Sequence, residues 1–337
     1  MLQLERLQLF LRIFPKLTVG LVGDLFLDRY LEIDSRVSES SIETGLEAYQ
    51  VARVRNQPGA LGTVLNNLAA LGVGTLVPVT VIGDDGHGYD LLHELQRLPV
   101  DASHVVRSPD RLTPTYTKPL RQDAAGVWQE LNRLDVRSRE PLTASVREEV
   151  CRHLREVFEQ TDGLIVLDQI DQSNEGVIHD QIRATLKQLA GEHPDKLIFV
   201  DSRRWLSRFG FGTLKGNAVE IRGAVSGADD VQAASCVLSA RTGSPVYCTM
   251  GESGTLVARP DGQLMHARGY PVDGPVDIVG AGDSATSGIV LSLLAGATEL
   301  EAAAVGNLVA SITVQQLGTT GTATPRQVLD RWHETLV

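Results

Sequence analysis

The chain has 337 residues, of which 42% are hydrophobic and 22% charged, a composition typical of a globular protein with a sizeable core. Lys and Arg number 31 against 42 Asp and Glu, so the net charge of −11 argues against nucleic acid or an anionic membrane as the main partner. The three cysteines, Cys151, Cys236 and Cys248, are scattered and flanked by apolar residues, which favours reduced thiols in a cytoplasmic protein. The length allows one large α/β unit with an appendage, or two domains.

The N-terminal segment, 2–14, has leucines at helical spacing, with Glu5, Arg6 and Arg12 inside the pattern. This predicts an amphipathic helix that packs on the domain, with membrane anchoring as the alternative, and it excludes the uninterrupted apolar core of a secretory signal. No stretch of the sequence reaches the roughly 18 apolar residues of a membrane span.

Beyond this helix, short apolar runs alternate with helical patterns. Strands are predicted at 17–22, 74–82, 163–167, 197–201 and 246–249. Helices are predicted at 58–71, 89–98, 146–158, 177–189, 285–297 and 301–316. Continuous apolar strands between helices are typical of a parallel sheet that is covered on both faces.

Two segments interrupt this rhythm. Residues 30–56 and 112–136 alternate polar and apolar side chains, as strands with one buried face do. Because the two segments are alike in pattern although far apart in sequence, we predict that they pair into a small separate sheet.

The segment from Asp277 to Ser284, Asp-Ile-Val-Gly-Ala-Gly-Asp-Ser, runs directly into the apolar helical pattern of 285–297. Its glycines let the backbone pass close to a bulky ligand, and the start of the helix directs unpaired N–H groups at that ligand. Such a helix start suits an anion, most often phosphate. Asp283 is then either a general base beside a phosphate site or an acidic residue that the helix dipole favours.

This segment resembles the signature of the ribokinase-like (PfkB) carbohydrate kinases. Four shorter segments occur in the same order as in that family and are similar to its branch that phosphorylates heptose 7-phosphate: 22–30, 35–38, 131–135 and 317–319. The resemblance implies an α/β fold, with a three-layer α/β/α kinase domain around a mostly parallel sheet and a small β-sheet lid. The kinase domain would comprise 1–29, 57–111 and 137–337, and the lid 30–56 and 112–136.

The resemblance also implies roles for the residues of phosphoryl transfer. Asp283 would be the general base, and the backbone of Gly280, Ala281 and Gly282 would stabilise the charge on the transferred group. Asn217 and Glu220 match an Asn-x-x-Glu motif that organises Mg²⁺, its waters and the phosphates of ATP. Taken alone, that pattern is equally typical of an asparagine helix cap followed by a solvated glutamate.

Further residues would contact the nucleotide or a second ion. Thr249, Gly251 and Gly254 follow a predicted strand and would approach the nucleotide, with a plain hairpin entry as the alternative. Asn307 matches a position near the adenine, although a buried asparagine can instead bond within the core. Asp277, with backbone from the loop after residue 316, resembles a K⁺ site.

The sugar side departs from the family pattern. Asp24 and Asp28 stand where sugar-binding aspartates are expected, but the following Gly-Gly and asparagine are reduced to Gly59-Ala60 and Thr63. Ala60 adds a methyl group where the backbone approaches the sugar and would resist a positive φ. Asp168 matches an aspartate of the heptose-kinase branch whose following lysine is absent here. The preferred cations for a second phosphate are Arg36, Lys118 and Arg203, each of which could also be a solvated surface charge.

From these features we expect a cytoplasmic, Mg²⁺-dependent kinase that transfers phosphate from ATP to a sugar or sugar phosphate, with heptose 7-phosphate as the first choice. A kinase for another sugar or a nucleoside, and a non-catalytic sugar- or nucleotide-binding protein, are the alternatives. We expect a homodimer joined through the lid, and no nucleotidyltransferase domain after the C-terminal helix. The histidines show no paired spacing that would predict a metal site.

Overall fold

The computed structural model describes residues 2–123, 126–228 and 230–334. The strands are β1 Thr18–Gly23, β2 Leu25–Ser40, β3 Glu47–Ala60, β4 Thr75–Gly83, β5 Val105–Ser108, β6 Thr115–Gln122, β7 Trp128–Glu130, β8 Leu134–Val136, β9 Gly163–Asp168, β10 Leu197–Ser202, β11 Thr213–Asn217, β12 Val246–Thr249, β13 Thr255–Ala258 and β14 Leu264–Ala267. The helices are α1 Leu4–Ile13, α2 Leu61–Ala70, α3 Gly86–Leu95, α4 Ala144–Gln160, α5 Asp180–Glu192, α6 Ala218–Gly223, α7 Val231–Thr242, α8 Ala281–Leu294, α9 Glu299–Thr313 and α10 Pro325–Glu334.

The large sheet contains nine strands within the described ranges, in the order β14-β13-β12-β11-β10-β9-β1-β4-β5. Neighbours from β12 to β5 are parallel, and β13 and β14 close one edge as antiparallel strands. The central strand β9 is buried along its whole length, because the helices cover both faces of the sheet. The mostly parallel sheet predicted from the apolar runs is confirmed.

Two hydrophobic clusters form the core, one on each face of the large sheet. Helices α1, α2, α3, α8, α9 and α10 contribute to the first, for example through Leu65 and Ile289. Helices α4 to α7 contribute to the second, for example through Leu154 and Leu238. The fold is therefore a three-layer α/β/α sandwich, as the sequence predicts.

Two helices begin later than their apolar patterns suggest. The helix predicted from Pro58 starts only at Leu61, because Pro58 and Gly59 still pair with β2 and extend β3 to Ala60. The helix predicted from residue 177 starts at Asp180, where the ring of His179 accepts a hydrogen bond from the Gln181 amide and caps the helix. In both places apolar residues before the helix are buried in extended backbone, which periodicity cannot separate from a helical turn.

The smaller sheet, here called the lid sheet, is built from β2, β3, β6, β7 and β8. Strands β2 and β3 form a long antiparallel hairpin, β6 runs parallel to β2, and β7 and β8 pair with β6. The segments 30–56 and 112–136 therefore pair in one sheet, as their alternation predicts. The division of the chain into a kinase domain and a lid domain stays a prediction.

The amphipathic N-terminal helix packs on the body of the protein. Leu7 and Phe10 of α1 are completely buried, and Arg6 forms an ion pair of 2.7 Å with Glu301 of α9. Among the helices that the structure describes, none combines the length and the apolar character needed to cross a membrane.

Candidate active site

The predicted phosphate-binding segment lies at the start of α8. Gly280 precedes the helix in the left-handed conformation, with φ of 80°, and no described side chain caps this end. The amide of Ala281 donates to the carbonyl of Ile278 at 3.2 Å, whereas the amides of Gly282 and Asp283 face the space in front of the helix, as an anion site requires. A non-glycine residue at 280 would be strained at this φ.

A buried ion pair lies next to this helix start. Asp201 and Lys215 are direct partners in the register of β10 and β11, and Lys215 Nζ donates to Asp201 Oδ2 over 2.7 Å. The same carboxylate oxygen accepts a hydrogen bond of 3.1 Å from the hydroxyl of Thr286 in α8. A methyl group at Gly282 would stand 3.0 Å from Lys215 Nζ, so the lysine ammonium faces the helix start directly.

Asp283, in the first turn of α8, has an altered acidity. Burial and the charge of Asp201 raise the pKa of Asp283 from 3.8 to about 7, against the opposing charges of Lys215 and Arg203. Burial alone would lower the pKa of Lys215, but the carboxylates of Asp201 and Asp283 outweigh it and raise that pKa. The site thus places a carboxylate that titrates near neutral pH beside a fixed cation, an arrangement suited to general-base chemistry on a phosphate ester or anhydride.

The start of α2 adjoins the same place. Ala60, the residue before the helix, has φ 51° and ψ −112°, a region that residues other than glycine rarely occupy. A Cβ on Gly59 would stand 2.7 Å from Asp28 Oδ2, and a Cβ on Gly280 would stand 3.5 Å from the methyl group of Thr63. The predicted sugar-binding residues of β3 and α2 therefore adjoin the Gly280 loop.

The lid sheet contributes a second group of polar residues. Lys118 of β6 forms an ion pair of 3.3 Å with Asp28 and a hydrogen bond of 3.3 Å with the hydroxyl of Tyr30. Burial raises the pKa of Asp28, although Lys118 opposes that change. Arg133 lies 4.3 Å from the centre of the Tyr116 ring, which packs edge-on against Phe26.

Arg203 connects the two groups electrostatically. It follows β10, its side chain is exposed, and its charge acts on the pKa of both Asp283 and Tyr116. The space bordered by the starts of α2 and α8 and by the lid sheet is here called the cleft. Of the three cations predicted for a second phosphate, Lys118 and Arg203 adjoin it. Arg36 does not join them: its side chain is 89% exposed and pairs with Asp34 at 2.8 Å.

Asp24 and Asp168 are buried beneath the cleft. The two oxygens of Asp24 accept hydrogen bonds from the backbone amides of Val177 and Gln169, at 2.7 and 3.1 Å. These bonds hold the loop between β9 and α5, so a direct contact between Asp24 and substrate stays a prediction that the geometry does not favour.

Asp168 lies in a polar network of its own. It accepts hydrogen bonds from Ser202 and from Arg183, at 3.1 and 3.3 Å. Burial and the neighbouring Asp24 raise the pKa of Asp168 to about 7, although Arg183 opposes the change. Its contact with a substrate also stays a prediction.

Asn217 and Glu220 form a reciprocal cap at the start of α6. The Asn217 side chain accepts from the amides of Val219 and Glu220, and Glu220 Oε2 accepts from the Asn217 amide at 2.7 Å. This is the capping alternative. The cap uses one carboxylate oxygen of Glu220, Oε2. The charge of Glu220 still raises the pKa of Lys215 and of Asp283. Burial raises the pKa of Glu220.

The predicted nucleotide-binding residues comprise three residues at the turn after β12 and one buried asparagine in α9. Gly251 and Gly254 have positive φ in the turn after β12, and a Cβ at Gly254 would collide with the carbonyl of Ala267. Thr249 donates to the carbonyl of Gly216 at 3.5 Å. Asn307 is buried and bonds within the core, accepting from Thr255 at 2.6 Å and donating to the carbonyl oxygens of residues 267 and 268. This is the core-bonding alternative, and its proximity to adenine stays a prediction.

Asp277 joins the two loops in front of α8. Its carboxylate accepts from the amide of Val279 and from that of Gly318, both at 3.0 Å. Asp277 therefore lies next to the loop after residue 316. Binding of K⁺ there stays a prediction.

The Asp201–Lys215 pair was not predicted from the sequence as a site. A signal exists for Asp201, a charged side chain that directly follows the apolar run 197–200, but Lys215 lies within a short mixed strand and only the strand register shows its partner. Arg133 lies in a segment quoted for the family resemblance, but its contact with Tyr116 could not be anticipated without the strand register.

This architecture, with an uncapped helix start at the edge of a mostly parallel sheet and a lid sheet beside it, defines the class: a ribokinase-like fold. Solved structures agree. Phosphofructokinase-2 from Escherichia coli, in complex with substrates and products, superposes with a TM-score of 0.69 at 17% identity, covering 95% of this chain and 99% of that one. Ribokinase from Arabidopsis thaliana, complexed with ribose and ATP, gives a TM-score of 0.65 at 16% identity, covering 94% and 98%. At such identities these likenesses concern the fold.

Sequence comparison finds similarity to carbohydrate kinases. Residues 211–326 match the model of the pfkB family carbohydrate kinases. Proteins named Bifunctional protein HldE are 28% identical in Trichlorobacter lovleyi and 31% identical in Caulobacter sp. strain K31, each over 91% of this chain. The chain spans only 61% of the length of these relatives. Residues 211–326 are thus similar to the pfkB family carbohydrate kinases, and the chain has a ribokinase-like fold.

Proposed function

We propose that this protein is an ATP-dependent carbohydrate kinase, and that its acceptor is a sugar phosphate, with heptose 7-phosphate as the first candidate. The observation that carries the proposal is Asp283: a carboxylate with a pKa of about 7 at an uncapped helix start, beside the ammonium of Lys215. Within the same cleft, the start of α2 provides the place for the acceptor.

In the proposed reaction, the oxygen of the acceptor hydroxyl bonds to the γ-phosphorus of ATP, and Asp283 takes the proton of that hydroxyl. The bond from that phosphorus to the β–γ bridging oxygen breaks, and ADP leaves. Backbone amides of Gly280 and Gly282, together with Lys215, stabilise the charge of the transferred group, whereas the Ala281 amide is engaged by Ile278. The turn containing Thr249, Gly251 and Gly254, and the backbone that Asn307 fixes, border the nucleotide.

Hard oxygen donors suit Mg²⁺, which retains much of its water shell. Glu220 fits this role, because capping engages Oε2 and leaves Oε1 for a metal-bound water. When bound, Mg²⁺ would neutralise charge on the ATP phosphates. Asp277 is the corresponding candidate for K⁺, through backbone and carboxylate oxygens near Gly318.

For the acceptor, we propose that Asp28 and the backbone at Gly59 contact its hydroxyl groups, with Thr63 beside the reacting centre. Asp168 would contact the acceptor from its buried position beneath the cleft. Lys118 and Arg203 would bind the second phosphate, which supports a phosphorylated sugar over a neutral one. The resemblance to the heptose 7-phosphate kinase branch supports heptose 7-phosphate within that class.

ADP release with a panel of acceptors tests the proposal: heptose 7-phosphate, fructose 6-phosphate, ribose and inosine, each with Mg-ATP. We expect heptose 7-phosphate to give the highest kcat/KM. A preference for ribose or inosine would favour the alternative of another sugar or a nucleoside. Binding of Mg-ATP without release by any acceptor would favour a non-catalytic protein, a possibility that the strained Ala60 keeps open.

We also propose a homodimer joined through the lid sheet, and a cytoplasmic location. In β3, Val51 and Val54 pair with Ile33 and Leu31 across a bulge, so they share one face, and they are 43% and 51% exposed. Exposed apolar groups on one sheet face favour a partner subunit. Light scattering at micromolar concentration should give twice the chain mass, and Val51→Lys should give the monomer. A wild-type monomer would contradict the proposal.

A further inference from the structure

Two side chains of α4 and a third from a distant part of the sequence meet at the edge of the large sheet, away from the cleft. His104 ends the short turn 102–104 that leads into β5, and His153 and Glu156 lie one turn apart on α4. One ligand atom from each lies within 4.8 Å of the others. The expectation from sequence spacing that the histidines form no metal site therefore overlooks this cluster, because its members converge only in the fold.

The hydrogen bonds of His153 fix which ring nitrogen carries the proton. Nε2 lies 2.9 Å from Arg152 Nη2, and a guanidinium can only donate, so Nε2 presents its lone pair. Nδ1 lies 3.3 Å from the carbonyl oxygen of His104 and donates to it. One nitrogen held by a backbone carbonyl and the other presenting a lone pair is the arrangement of a metal-binding histidine.

The lone pair of His153 and the carboxylate of Glu156 converge on one cation. In the structure that cation is the guanidinium of Arg152, whose Nη1 is 2.9 Å from Glu156 Oε1. The Arg152 side chain is 57% exposed and that of Glu156 41% exposed. The arginine can therefore turn out into solvent and vacate the position, at the small cost of an exposed ion pair.

His104 supplies a third donor. Its Nδ1 is buried and has no hydrogen-bond partner among the described residues, and it lies 3.8 Å from Glu156 Oε2. A buried polar atom without a partner is unusual and calls for an explanation.

We propose that His104, His153 and Glu156 bind a divalent transition metal of the zinc type, with water as the fourth ligand. Two histidines and a glutamate are an established donor set for Zn²⁺. Bond lengths of about 2.0–2.2 Å in a tetrahedron separate ligand atoms by roughly 3.4 Å, so the cluster must contract by rotation of the exposed Glu156. The metal would join α4 to the start of the edge strand β5, on the far side of the sheet from Asp283.

Calorimetric titration of the full chain with Zn²⁺, without nucleotide, tests the proposal. We expect one Zn²⁺ per chain with a Kd of about 1 µM or lower, and a Co²⁺ adduct with the absorption of a tetrahedral site. His153→Ala should weaken binding by about 100-fold or more. Arg152→Ala should tighten it several-fold, because the competing cation is gone; a site made only of adventitious surface groups would not respond in this way.

His193→Ala is the matched control, since His193 also pairs with a glutamate, at 3.3 Å from Glu159, but has no second histidine beside it. It should leave binding unchanged. If His153→Ala does not fold, Glu156→Gln, at an exposed position, should show the same loss. Zn²⁺ binding weaker than about 1 mM in both wild type and Arg152→Ala, or equal binding by wild type, His153→Ala and Glu156→Gln, would overturn the proposal.

Discussion

The two sides of the cleft are built differently. On the phosphoryl side, Asp201 and Lys215 pair across two neighbouring strands of the buried sheet, and Asp283 lies in the first turn of α8, which packs against them. On the acceptor side, the backbone turns through a strained alanine, Ala60, and the remaining polar groups come from the lid sheet.

This difference separates chemistry from selection. A charged side chain that is paired across two buried strands has little freedom, so the phosphoryl side is preorganised for one reaction. Residues of a lid and of a strained turn can change with little effect on the core, so the acceptor side can be adapted to different molecules. Four predictions follow this division, and each can refute it.

The largest effect should come from Asp283→Asn. The amide has the shape of the protonated acid but cannot accept the hydroxyl proton, so we expect kcat to fall by about 10²–10⁴ with little change in ATP binding. ADP release on the best acceptor measures it, and Asp195→Asn, at an exposed position on the opposite edge, is the control. Near-normal turnover would remove Asp283 from the reaction.

The raised pKa adds a pH signature to this prediction. Asp283 must be deprotonated to act as base, so kcat should rise with pH and level off above about 7. For stability the sign is opposite: between about pH 4 and 7 the folded protein holds a proton that the unfolded chain releases, so rising pH destabilises it. Asp283→Asn should weaken this dependence of the unfolding free energy on pH. Part of the dependence should remain, because the pKa of Asp168 is raised as well. A kcat independent of pH from 6 to 8 would contradict the assignment.

The second prediction concerns the buried ion pair. Lys215→Met leaves Asp201 buried without its counter-charge, so we expect the free energy of unfolding to fall by about 3–5 kcal/mol. Adding Asp201→Asn removes the stranded charge and should recover much of that loss in urea unfolding, whereas turnover should stay low in both variants. If the double variant is less stable than Lys215→Met alone, the unpaired charge of Asp201 does not cause the loss of stability.

Much of the fold was predictable from local pattern. Apolar runs such as 163–167 and 246–249 became β9 and β12 with little change of boundary, because a strand buried on both faces has few alternatives. The octapeptide around Asp283 also lies at a helix start, as its glycines require. Both features depend on residues that are neighbours in the sequence.

The remaining features depend on contacts across the fold. The Asp201–Lys215 pair needs the register of two strands, and the exposed position of Arg36 needs the course of β2 beyond the cleft. The limit of α2 was misplaced because strand pairing extends β3 through Pro58. Tertiary pairing decides such points, and periodicity carries no information about it.

The third prediction concerns selection of the acceptor. Losing a paired hydrogen-bonding group costs about 1–3 kcal/mol, or up to roughly a hundredfold in affinity. Ala60→Gly with Thr63→Asn should therefore lower KM for heptose 7-phosphate while kcat changes little, if that sugar is bound weakly by the native protein. Thr63→Val, which lacks the hydroxyl, is the matched control. A native enzyme that is already efficient, and is impaired by the double change, would show that the acceptor side has been misread.

The smallest effect should come from Ala60→Gly alone. Ala60 holds φ at 51° and ψ at −112°, where a Cβ is unfavourable, so glycine should raise the free energy of unfolding by about 1 kcal/mol. The matched control is Ala69→Gly in the last turn of α2, which has helical backbone and should lose up to about 0.5–1 kcal/mol. Opposite signs in urea unfolding would locate strain at the turn into α2. Equal losses in the two variants would mean that Ala60 is relaxed, and that the acceptor side is as well fitted as the phosphoryl side.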